Sequence, residues 1–200
     1  MKYYIFGIQN THTKLARQYI DINFFAKNGN VNDFGHWSWN HNGDSEQATA
    51  HLFQNTPLIF TYKSPHKWMN SIIEDDEEFV NKYSLTQFPD YHDPRLLVET
   101  KNEFWSLPRA IELWCEFHIN WIRYLHRSNY VIMNQDRMSD QPYIIDFLSK
   151  VNLKLELEKK MPNWTLIKND NVTEKNFLTD LQHKYISKKV PNEIIDFFGN

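Results

Sequence analysis

Two short stretches of this chain bring cations, hydroxyls and backbone N–H groups together in a pattern that suits an anion. The first is Gln9-Asn10-Thr11-His12-Thr13-Lys14, a polar turn between an apolar run and an amphipathic one. The second is Lys63-Ser64-Pro65, with Ser71 eight residues beyond the lysine. Each stretch reads as the passage from a strand into a helix. The first N–H groups of a helix have no partner within it, so phosphate or sulfate is well received there. Lys63 supplies a point charge and Ser71 a hydroxyl donor. Read blandly, the same residues are an exposed lysine and an ordinary helix serine. The first stretch matches G-x-x-x-x-G-K-[ST] only in part, because His12 stands nearest the second glycine and Leu15 follows Lys14.

Proton transfer needs a group that titrates near neutral pH, and histidine suits it. His41, in Trp39-Asn40-His41, and His36 are the candidates, with surface histidines as the bland alternative. The spacing of His36, His41 and His51 fits no standard zinc pattern, so no metal is expected. No G-x-S-x-G elbow is present for a serine hydrolase.

These residues must be positioned by regular elements, and periodicity gives them. A strand is expected at 2–8 and a helix at 13–27, with Leu15, Tyr19, Ile22 and Ala26 on one face and Gly29 as its cap. Residues 31–44 read as a short strand or loop and 45–54 as a helix. An apolar run at 57–63 has the length of a buried parallel strand, and Pro65 suits the first turn of the helix after it. Residues 74–105 read as an acidic face and an irregular loop. A helix is expected at 108–127 with Ile111, Trp114, Phe117, Trp121 and Leu125 inward. A core strand follows at 130–134, then a helix at 141–151 capped by Asp140, with Ile144, Ile145, Leu148 and Val151 inward. A last short helix opens at Pro191, with Ile194, Ile195 and Phe198 apolar. Alternating strands and helices imply a parallel sheet whose ligands bind beyond the carboxyl ends of the strands.

Bulk properties narrow the partners. The 200 residues suit a single domain over 1–200. A net charge of -3 argues against nucleic acid. No apolar run approaches the roughly 20 residues of a membrane span. One cysteine, Cys115, excludes an internal disulfide and reads as a small core residue. With no leader visible before the first strand, the expected location is cytoplasmic.

In order along the chain, these features resemble the sulfotransferase family, which uses 3′-phosphoadenosine 5′-phosphosulfate (PAPS) as donor. The family has a strand, a loop of the type [RK]-S-G-T, then a helix; Asn10-Thr11-His12-Thr13 occupies that place, without the basic residue and the glycine. Next comes a strand ending in [RK]-x-P and a helix with a serine, matched by Lys63-Ser64-Pro65 and Ser71. A Trp-rich helix and a strand leading to an acidic residue look like Trp114 to Trp121 and Tyr130 to Asp136. The resemblance implies a three-layer α/β/α fold with a central parallel sheet, P-loop NTPase-like. It implies that Gln9, Asn10, Thr11, His12, Thr13 and Lys14 hold the 5′-phosphosulfate. Lys63 and Ser71 would hold the 3′-phosphate, Lys14 would steady the leaving phosphate, and His41 or His36 would act as base. No metal is implied, and the acceptor would be a small molecule or carbohydrate. A catalytically inactive relative and a P-loop phosphotransferase are the alternatives.

Overall fold

Alternation along three strands decides the layering. The computed structural model describes residues 2–8, 11, 13–28, 57–74, 94–99, 104–126, 129–167 and 175–199. In chain order the elements are β1 (Lys2–Gly7), α1 (Thr13–Asn23), β2 (Lys27–Asn28), β3 (Leu58–Tyr62), α2 (Pro65–Glu74), β4 (Leu97–Glu99) and β5 (Phe104–Ser106). There follow α3 (Leu107–Leu125), β6 (Tyr130–Asn134), α4 (Gln141–Leu155), α5 (Asp180–Lys189) and α6 (Asn192–Phe198). Single 3-10 turns stand at Pro94–Leu96 and Gln135–Arg137.

The fold is mixed α/β around a small parallel sheet in the order β2-β1-β3-β6. Tyr4 to Gly7 lie opposite Leu58 to Thr61, and β3 runs in register with β6 from Leu58–Tyr130 to Tyr62–Asn134. Period-two alternation sends Tyr3, Ile5, Ile59, Val131 and Met133 to one face, where α1 and α4 pack over them with Tyr19, Ile20, Phe147 and Leu148. Phe6, Ile8, Leu58, Phe60 and Tyr62 point to the other face, against Trp68 and Met69 of α2, Trp114 and Trp121 of α3, Ile186 of α5 and Phe198 of α6. Every residue of β3 is buried, as expected of a parallel strand covered on both sides. Each such large side chain taken out of water favours folding by roughly 1.5–3 kcal/mol.

The chain passes from β1 to β2 on one side, then to β3 on the other. That reversal lies between β1 and β3, and in open parallel sheets such a switch point is where ligands are generally bound, beyond the carboxyl ends of the strands.

Several expectations are corrected. The first helix stops at Asn23, not at 27, because the Asn23 amide turns to the carbonyls of Tyr19 and Thr165 and accepts from Thr165 N–H. Ile22 and Ile145 are solvent-facing, displaced by Ala16 and Ile20 and by Tyr143 and Phe147. Asp140 stands at the N-cap of α4 without a side-chain cap bond. Within 74–105, β4 and β5 form an antiparallel pair where a loop was expected. The readings at 31–44 and 45–54 and the cap at Gly29 lie outside the described residues.

Candidate anion site at the carboxyl edge of the sheet

Gly7 ends β1 directly opposite Thr61, two residues before Lys63. The turn after β1 is built by short hydroxyl contacts across this register. Thr11 N–H and Thr11 Oγ1 both donate to the Ile8 carbonyl, at 3.2 and 2.6 Å. Thr61 Oγ1 lies 2.9 Å from Thr11 Oγ1 and 3.0 Å from the Phe6 carbonyl. Both threonines are fully buried. Thr11 therefore spends both its hydroxyl and its N–H on shaping the turn, and an anion here would be met by the first-turn N–H groups of the helix that follows. Gly7 is required by space: a Cβ there would lie 1.9 Å from Thr61 Oγ1, 2.3 Å from Thr11 Oγ1 and 2.8 Å from the Thr61 carbonyl oxygen.

Beyond this turn α1 begins at Thr13, with Lys14 exposed in its first turn and no acidic residue there. One strand over, Lys63 is buried, the Ser64 carbonyl accepts from Trp68 N–H at 2.8 Å, and Lys67 stands in the first turn of α2, again without an acid. A cation near a helix N-terminus opposes the helix dipole by about 0.3–1 kcal/mol. Two neighbouring helix starts carry that unfavourable arrangement, and an anion between them would relieve both.

Part of the relief at α2 comes from within. Asp136, in the 3-10 turn after β6, accepts from Ser64 N–H at 3.2 Å, and its other oxygen is 4.0 Å from Lys67 Nζ. Asn134 holds this turn by accepting from Asp136 N–H at 3.0 Å and donating to the Gly199 carbonyl at 3.1 Å. Burial, and then the Asp136 charge, push the Tyr62 phenol above its ordinary range. Asp136 thus brings a third strand end to the site.

The structure brings Thr11, Thr13, Lys14, Lys63 and Ser71 to two adjoining strand ends and the helices that follow them. Ser71 turns its hydroxyl back to the Trp68 carbonyl at 2.8 Å, so contact with a ligand requires that rotamer to change. Gln9, Asn10, His12, His36 and His41 lie outside the described residues. Sequence reading passed over Thr61, whose signal was a polar residue inside the apolar run Leu58-Ile59-Phe60-Thr61-Tyr62, and Lys67 in the next helix turn.

Two other titratable groups are not reagents. Burial, then Glu116 and Glu112, push the Cys115 thiol up to about 12, so it is no thiolate nucleophile at neutral pH. His118 is fully buried, and desolvation pulls it down to about 3. Its Nδ1 meets the Trp114 carbonyl at 2.7 Å, while its Nε2 has no hydrogen-bond partner among the described residues.

Family models, curated proteins and solved structures were all compared with this chain, and none of them matched it.

Proposed function

We propose that this chain is a PAPS-dependent sulfotransferase with a P-loop NTPase-like arrangement of its donor site. The observation that carries the reading is the pairing of two lysine-bearing helix starts after adjacent parallel strands, in the register of Gly7 with Thr61. In this reading residues 9–14 surround the 5′-phosphosulfate, with Thr11 shaping the turn and its neighbours offering backbone N–H groups. Lys63 meets the 3′-phosphate, and Ser71 joins it by releasing the Trp68 carbonyl. The acceptor is a hydroxyl or amine of a small molecule or glycan. Its oxygen or nitrogen attacks sulfur, the bond from sulfur to the phosphate oxygen breaks, and His41, with His36 as second candidate, takes the acceptor's proton. Lys14 steadies the charge that develops on the departing phosphate. Fixed cations and dipoles aimed at that charge supply the rate enhancement, as in phosphoryl transfer. The reading also places the protein in the cytoplasm, where a lone thiol stays reduced.

A second reading has its own observation. Asn10 and His12 replace the cation and glycine of the family's loop, which favours a relative that binds the nucleotide without turnover.

A thermal-shift titration tests the site. Ligand that binds only the folded state stabilises it by about 2.7 kcal/mol at a hundredfold excess over Kd. 3′-Phosphoadenosine 5′-phosphate is expected to raise the melting temperature, and ATP with magnesium to leave it nearly unchanged. Lys63→Met keeps most of the unbranched side chain and removes the charge, and is expected to weaken the nucleotide about 10- to 100-fold. Equal responses to both nucleotides, or an unaffected Lys63 variant, would overturn the assignment. Binding without sulfate transfer to any hydroxyl or amine acceptor would select the second reading.

A further inference from the structure

Away from the sheet edge, α2 and α5 meet through two histidines that stand 117 positions apart. His66 Nδ1 and His183 Nδ1 face each other at 3.0 Å, with ring centroids 5.0 Å apart and planes inclined by 27°. Both remote nitrogens have fixed partners. His183 Nε2 lies 3.0 Å from Asn176 Oδ1, an oxygen identified as acceptor because Leu178 N–H also donates to it at 3.1 Å. His183 therefore donates from Nε2, and its Nδ1 carries a lone pair when the ring is neutral. His66 Nε2 lies 3.2 Å from Ser187 Oγ, and that hydroxyl is also placed to donate to the His183 carbonyl at 3.1 Å. When the serine proton goes to the carbonyl, His66 also donates from Nε2, and two bare Nδ1 atoms face one another. Two lone pairs at this distance repel unless a proton or a metal cation lies between them.

We propose that His66 and His183 form a two-histidine chelate for a divalent transition metal of the zinc class, which staples α2 to α5. Two imidazole nitrogens on one zinc at about 2.0–2.1 Å lie about 3.3 Å apart in a tetrahedron and about 2.9 Å apart at a right angle. The observed 3.0 Å falls between these values. Ligating histidines characteristically donate their other N–H to an oxygen, and here Asn176 and Ser187 supply both oxygens. Burial, and then the neighbouring His183, hold His66 below the ordinary histidine range, so its lone pair is available at neutral pH. Among the described residues no group of three or more His, Cys, Asp or Glu forms a metal cluster, so water or a small anion completes the shell. The site is independent of the nucleotide reading.

Zinc chloride, added to the intact protein at pH 7.5, tests this. One equivalent is expected to bind saturably and raise the melting temperature, and His66→Gln and His183→Gln are each expected to abolish that response. Nitrogen-15 NMR of the labelled wild-type histidines gives a readout that needs no variant: Nδ1 of both rings should move on zinc addition. A saturable response retained in either variant, or rings whose Nδ1 signals stay in place, would overturn the chelate. In that event the contact is a hydrogen bond holding one proton between the two nitrogens.

Discussion

Gly7→Ala is expected to destabilise the protein by about 3 kcal/mol or more and to abolish nucleotide binding with it. The added methyl has nowhere to go. It would overlap both threonine hydroxyls that shape the turn and also the Thr61 backbone. Rotating the threonines away leaves two buried hydroxyls short of partners, at about 1–3 kcal/mol each, on top of an overpacking cost of about 1–3 kcal/mol. Chemical denaturation of the variant measures the loss. Thr11→Ser keeps the hydroxyl and should come within about 1 kcal/mol of wild type. A Gly7 variant as stable as the parent would show that the turn is not built as described.

Acidification from pH 7 to pH 4.5 is expected to cost roughly 2–3 kcal/mol at His118 alone. The sign follows from its folded value of about 3, below the ordinary 6.5. The unfolded chain takes up the proton first, so stability is complete above pH 6.5, falls as pH drops towards 3, and levels off below that. His66 is shifted in the same direction and adds to the loss in the same window. The ring of His118 is packed among Trp114, Phe60, Tyr62, Phe117 and Phe198, with no polar group offered to Nε2 among the described residues. His118→Phe has a similar flat shape and should remove about one proton's worth of the acid slope. Denaturation midpoints of wild type and variant between pH 7 and 4.5 measure it. Parallel pH profiles would contradict the buried neutral state.

Much of the frame was legible because its signals are local. Strong periodicity in Ile111, Trp114, Phe117, Trp121 and Leu125 gave α3, and apolar runs bounded by polar turns gave β1, β3 and β6. The misses have physical reasons. α5 buries only Gln182 and Ile186 along its length, so it lacks an apolar stripe; its signal was the capping box of Thr179 and Gln182. β4 and β5 have three residues each, too few for alternation to show. At the site, Lys63 and the Gly7 turn could be read from sequence. The bond from Thr11 to Thr61 could not, since it depends on the parallel register. Asp136 at the start of α2 and the meeting of His66 with His183 depend on packing between distant segments.

The most direct measurement is an amide spectrum of nitrogen-15-labelled protein titrated with 3′-phosphoadenosine 5′-phosphate. Saturable shifts should be largest at the Gly7, Thr11 and Ser64 amides, which lie at the carboxyl end of β1 and in the turns that lead into α1 and α2. Shifts confined to α5 and α6, or none that saturate, would contradict a donor site at the junction of β1 and β3.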